Sequence, residues 1–263
     1  MKKYQIPTLT IAGSDSSGGA GIQADLKTFS AIGTYGMSVI TAITAQNTQG
    51  VFLVEDLSEE IIRKQIEVVF EDIEPKAIKI GMVSSPNIVR AIVEALRRYN
   101  PKFLIVDPVM ISKSGYYLLK SEAKKSLIEN LLPMAYIITP NTLEAEEIVG
   151  IKVNTVDDMR EAGKRILELG PKYVLMKGGH LEGDAIDVLI GKDTFKVYKE
   201  ERLDKKNTHG TGCTLSSAIT SYLALGYEIE EAVRLSKDYI TDAIRYSFNI
   251  GKGVGPVNHF YKF

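Results

Sequence analysis

The chain has 263 residues, 44% of them hydrophobic, and its 32 Lys and Arg nearly balance 33 Asp and Glu for a net charge of -1. That is ample apolar material for a large core, and it lacks the overall positive field that would draw the chain onto nucleic acid or an anionic membrane. The single cysteine, Cys213, excludes an internal disulfide, and no apolar run is long enough to span a bilayer, so the expected compartment is the cytoplasm.

The first residues, Met1-Lys2-Lys3-Tyr4-Gln5-Ile6-Pro7, carry the positive charge of a signal peptide. Ser14, Asp15, Ser16 and Ser17 interrupt the apolar stretch such a peptide would need. Pro7 to Ala12 reads as a strand, and Gly21 to Ile32 as a helix with Ile22, Leu26 and Phe29 on one face. Ser38 to Ala45 is a second strand. Ser58 caps a helix running to Glu71, with Glu59 and Glu60 in its first turn. Ala77 to Ile80 is a strand ending at Gly81, and Ser85-Pro86 opens a helix with cap and proline in the favoured positions. Phe103 to Val106, Tyr136 to Thr139 and Tyr173 to Met176 are strands ending at Asp107-Pro108, Pro140-Asn141 and Lys177-Gly178-Gly179. Two long helices, Thr211 to Leu225 and Glu228 to Tyr246, close the pattern.

Strands alternating with helices of this length predict an α/β fold, a mostly parallel sheet flanked by helices on both faces. Ala185 to Tyr198 differs: two β-rich runs about Gly191-Lys192-Asp193 predict an antiparallel pair at one edge. No linker or repeat divides the chain, and residues 1–263 read as one domain. Polar and glycine-rich residues gather after the strands, at the carboxyl edge where parallel α/β sheets bind ligands.

Gly19-Ala20-Gly21-Ile22-Gln23-Ala24 matches a dinucleotide-binding pattern, but the next strand ends in Gln46-Asn47 where the ribose-binding acid should stand. The preceding turn, Gly13 to Gly19, is also too long for that fold. Its glycines let backbone approach a ligand closely, or else form an ordinary surface turn.

Asn207-Thr208-His209-Gly210-Thr211-Gly212-Cys213-Thr214 precedes an apolar helix, so Gly210 and Gly212 expose amides at the positive end of a helix dipole, an anion site. No Walker A sequence occurs. Cys213 in that first turn is expected either to have a lowered pKa or to pack as a small hydrophobe. Asp107 and Glu144 are candidate Mg²⁺ ligands, although Asn141 and Glu144 equally spell a capping box. Lys177, beside two glycines at a strand end, suits a phosphate or simply water. Asp25, Gln46 and Met82 complete a candidate pocket.

Together these stretches resemble the ribokinase-like superfamily, and more closely its hydroxymethylpyrimidine/phosphomethylpyrimidine kinases. The resemblance rests on Ala12 to Asp25, Ala45-Gln46-Asn47, Lys79 to Met82, Asp107-Pro108-Val109-Met110, Thr139-Pro140-Asn141 with Glu144, Lys177 to His180, His209 to Cys213 and Gly255-Pro256-Val257-Asn258-His259-Phe260, all in the family's order. It implies ATP-dependent phosphorylation of 4-amino-5-hydroxymethyl-2-methylpyrimidine, and of its monophosphate to the diphosphate, in thiamin biosynthesis. It implies a pyrimidine pocket of Gly13, Asp25, Gln46, Met82 and Val109. ATP would lie on Asn141, Lys177, Gly210, Thr211 and Gly212, with Mg²⁺ near Asp107 and Glu144 and a mobile flap at Ile111 to Tyr116. It further implies a homodimer. The wider superfamily carries an aspartate base where Cys213 stands; the cysteine is shared with some pyridoxal kinases, which makes pyridoxal the alternative substrate. An NAD-dependent oxidoreductase and a silent aminopyrimidine-binding regulator are the readings from other classes.

Overall fold

The computed structural model describes residues 5–110, 121–179, 181 and 183–263. The flap expected at Ile111 to Tyr116 and His180 of the lysine motif lie outside the described residues.

Among the described residues nine strands form one sheet: β1 (Pro7–Asp15), β2 (Tyr35–Asn47), β3 (Gly50–Asp56), β4 (Ala77–Ile80), β5 (Leu104–Val106), β6 (Ile137–Ile138), β7 (Tyr173–Lys177), β8 (Ala185–Gly191) and β9 (Phe195–Glu200). Their spatial order is β3-β2-β1-β4-β5-β6-β7-β8-β9. The run from β2 through β7 is parallel, while β3, β8 and β9 pair antiparallel. The expected antiparallel pair is thus present at one edge, but the opposite edge also ends in an antiparallel strand, β3. Its Phe52 and Leu53 remain 68% and 64% exposed, so it lacks the alternation that marks a half-buried strand.

The helices are α1 (Gly21–Ile32), α2 (Glu59–Asp72), α3 (Pro86–Arg97), α4 (Ser121–Ser126), α5 (Thr142–Val149), α6 (Val156–Leu167), α7 (Thr211–Ala224) and α8 (Ile229–Arg245). The caps follow the sequence: the Ser58 and Ser85 side chains accept from Ile61 N and Ile88 N, and Asn141 and Glu144 close a capping box at α5. The sheet alternates between two cores. Leu104, Val106, Ile138, Val174 and Met176 join the cluster that includes α3 and α6, whereas Ile105, Ile137 and Leu175 face α7 and α8. Successive strand side chains point to opposite faces, which is why these strands read as continuous apolar runs. Among the described residues no helix is long and apolar enough to cross a membrane.

The chain leaves β1 towards β2 on one side and returns to β4 on the other. That reversal opens a crevice at the carboxyl ends of β1 and β4, the position where such sheets take ligands.

Candidate active site

A cavity of about 860 Å³ lies along the carboxyl edge. Gly13 at the end of β1, Gln46 at the end of β2, Met82 after β4 and Val109 after β5 line it. So do Asp107, Asn141, Glu144, Lys177 and the turn Gly210-Thr211-Gly212-Cys213. Every residue the sequence nominated therefore reaches this cavity except Asp25.

Asp25 is a correction. It has 0% exposure, on the buried face of α1. Lys79, also 0% exposed, sits on both its oxygens at 3.0 and 2.8 Å. Thr10 Oγ1 donates to it at 2.6 Å and Ser217 Oγ at 2.7 Å. A carboxylate so completely engaged is a buried structural partner; removing one member of such a pair strands a charge in the core. The sequence signal was Lys79 itself, a charge in a four-residue strand with no exposed face.

The phosphate turn is tighter than its glycines first imply. Gly210 caps α7 with φ of 81°, in the left-handed region, and a Cβ there would come within 1.9 Å of Gly19 O. Gly21, at φ 56°, would place a Cβ 2.4 Å from Gly13 O. These glycines let backbone approach backbone: the opening loop packs directly on the phosphate turn. His209 ties the two together. Its Nε2 is 2.9 Å from Asp15 Oδ2 and 3.3 Å from Gln46 Nε2. Asp15 also accepts from the amides of Ser17, Gly19 and Ala20. Burial alone would raise the Asp15 carboxyl, but the His209, Ser17 and Ala20 hydrogen bonds bring it down to about 2. Both residues stood in recognisable motifs, yet nothing local in the sequence linked positions so far apart.

Opposite the turn, Lys177 Nζ lies 2.9 Å from Asp107 Oδ1 and 3.9 Å from Glu144 Oε2. A Cβ on Gly212 would sit 3.4 Å from Lys177 Nζ and 3.5 Å from Asp107 Oδ2, so the turn faces this ion pair directly. Burial opposes the charge on both partners. Lys177 and then Lys79 nevertheless hold Asp107 below the ordinary carboxylate range, and Asp107 and then Glu144 hold Lys177 above the ordinary lysine range. Glu144 is different: burial, only partly offset by Lys177 and reinforced by Asp107, pushes it up to about 7.

Cys213 departs from the helix-dipole expectation. Burial pushes its thiol up to about 11; Lys79 pulls the other way, and Asp25 and Asp107 add to the rise. Desolvation, with two carboxylates nearby, disfavours the thiolate.

An anion turn facing a lysine, carboxylates beside it and a small-molecule pocket at a topological switch point define a ribokinase-like phosphotransferase. The family model for phosphomethylpyrimidine kinase matches residues 15–258, and the chain belongs to that family. It is 50% identical over 258 residues to a hydroxymethylpyrimidine/phosphomethylpyrimidine kinase of Rhizobium meliloti, covering 97% of each chain. It is 47% identical over 252 residues to the thiamine biosynthesis bifunctional protein ThiED of Geobacter sulfurreducens; the match takes in 95% of this chain and 51% of that relative, about half its length. Among solved structures, phosphomethylpyrimidine kinase from Clostridium difficile 630 superposes with a TM-score of 0.83 at 73% identity, covering 91% of this chain and 100% of that one. An ADP complex of Bacillus subtilis pyridoxal kinase gives a TM-score of 0.90 at 41% identity over 96% and 97% of the two chains.

Proposed function

We propose that the chain transfers the γ-phosphoryl group of ATP to the hydroxymethyl group of 4-amino-5-hydroxymethyl-2-methylpyrimidine, and then to the monophosphate, giving the diphosphate used in thiamin biosynthesis. The observation that carries this is a shared cavity, lined by the anion turn, Lys177 and Cys213 together with Gln46, Met82 and Val109.

Gln46 supplies the amide a planar aminopyrimidine needs, and Met82 and Val109 supply apolar contact. The substrate hydroxyl oxygen forms the new bond to phosphorus as the bond to the bridging oxygen of ADP breaks. The Gly210 to Gly212 amides and Lys177 hold the transferring group, since this chemistry depends on positioning and charge neutralisation. Cys213 orients the hydroxyl and takes its proton when ionised.

Among the described residues no group of three or more His, Cys, Asp or Glu is set to hold a metal unaided. Asp107 and Glu144 nevertheless fit Mg²⁺, because both carboxylates line the cavity beside the phosphate turn, and Mg²⁺ keeps waters and phosphate oxygens as its remaining ligands. When bound, the ion would neutralise charge on the phosphates.

We also read residues 1–263 as one domain, working in the cytoplasm as a homodimer. The similarity to pyridoxal kinases supports pyridoxal as the second substrate reading. A coupled ADP-release assay with the pyrimidine alcohol, its monophosphate and pyridoxal in parallel tests both; turnover of pyridoxal alone would reverse the order of the two readings.

A further inference from the structure

The motif Gly255-Pro256-Val257-Asn258-His259-Phe260 does not line the cavity, yet it reaches the phosphate turn from both sides. On the upstream side His209 N donates to Gly255 O at 3.1 Å, and Gly255 N donates to Asn207 Oδ1 at 3.1 Å. His209 and Pro256 form an isolated parallel bridge. On the downstream side the buried His259 Nε2 lies 3.0 Å from Oγ1 of Thr214, the residue that follows Cys213 in the first turn of α7.

The segment is itself fixed. Val257 is buried in the core shared with α7 and α8, Tyr239 donates its hydroxyl to His259 O at 2.7 Å, and Asn258 N donates to Ala243 O at 2.9 Å. A Cβ on Gly255 would meet the Asn207 side-chain amide, so a larger residue there would push aside the Asn207 oxygen that accepts from Gly255 N. His259 is 4% exposed. Burial first and Lys27 second bring its imidazole down to about 4, so it is neutral wherever the enzyme works. A neutral histidine shielded from water is suited to holding a hydroxyl rather than to moving protons.

We propose that Gly255–His259 clamps the phosphate turn at both ends and that His259, acting through Thr214, is a positioning residue for phosphoryl transfer. The proposal rests on the kinase reading above. The amides of Gly212 and Cys213 and the Cys213 thiol lie immediately before Thr214, and displacing reacting groups by about 1 Å costs on the order of 10²-fold in rate.

The test is steady-state kinetics with ATP and the pyrimidine alcohol, wild type alongside His259→Ala, His259→Gln, Thr214→Val and the Ala/Val double variant. Loss of one positioning hydrogen bond is expected to lower kcat about tenfold in His259→Ala, with KM for the pyrimidine within about twofold. His259→Gln, whose side-chain amide reaches the Nε2 position, restores kcat to within about threefold of wild type. The double variant is no slower than Thr214→Val. A folded His259→Ala with wild-type kcat overturns the proposal, as does a full additive loss in the Thr214→Val background. Should His259→Ala fail to fold, Thr214→Val decides: wild-type kcat overturns the proposal and a tenfold loss supports it. Absent turnover in the wild type would instead strike the kinase reading, which keeps the two failures distinct.

Discussion

Replacing Cys213 by alanine separates the chemistry of its sulfur from that of the surrounding turn. Burial pushes the thiol up to about 11, so at pH 7.5 only roughly one sulfur in 3,000 is a thiolate, the form that can take a proton. General-base help is typically worth about 10²–10⁴-fold. The Gly210 to Gly212 amides and Lys177 are untouched by the change, so Cys213→Ala should lose about 10²-fold in kcat and keep measurable turnover. The wild-type rate should rise with pH up to about 9.5 as the thiolate fraction grows, whereas the variant should be flat above about 8, where Glu144 is already ionised. The assay is ADP release under saturating substrates across that range, with iodoacetamide alkylation of the free enzyme as a check on the thiol. Wild-type turnover in Cys213→Ala would remove the sulfur from the mechanism, and rapid alkylation at neutral pH would refute the raised pKa.

Three further outcomes follow from the same geometry. Gln46→Ala should weaken pyrimidine binding about tenfold while leaving ATP binding within about twofold; equal losses by calorimetry would remove Gln46 from the substrate end. Lys79→Met strands Asp25 in the core and should cost about 3–5 kcal/mol in urea unfolding, whereas an unchanged midpoint would contradict a structural role for the pair. Glu144 has a folded pKa of about 7, above the ordinary carboxylate value, so the folded chain retains a proton that the unfolded chain has released. Stability from this group is therefore lost as pH rises from about 4.5 to 7, on the order of 3 kcal/mol at most. Glu144→Gln should remove that slope, and identical pH dependence in the two proteins would contradict the assignment.

The carboxyl edge was legible because each strand announces its own end: Asp107-Pro108, Pro140-Asn141 and Lys177-Gly178-Gly179 all follow short apolar runs. The anion turn was legible for the same reason, being glycines followed by an apolar helix. What stayed hidden depended on partners distant in sequence. Asp25 read as a ligand from its place in the opening motif; Lys79 pairs with it only once α1 packs on β1, the neighbour of β4 in the sheet. For Cys213 the sequence left a lowered pKa and burial as equal alternatives; burial beside Asp25 and Asp107 became visible only in the fold. Asp15 and His209 meet through loops from opposite ends of the chain. Strand β3 escaped because its Phe52 and Leu53 face solvent together.

Kinase activity is tested most directly by ADP release from the purified chain with ATP, Mg²⁺ and 4-amino-5-hydroxymethyl-2-methylpyrimidine, with the monophosphate and pyridoxal as parallel substrates. Turnover of the pyrimidine alcohol and of its monophosphate is expected. Silence with all three substrates, from protein shown to be folded, would contradict it.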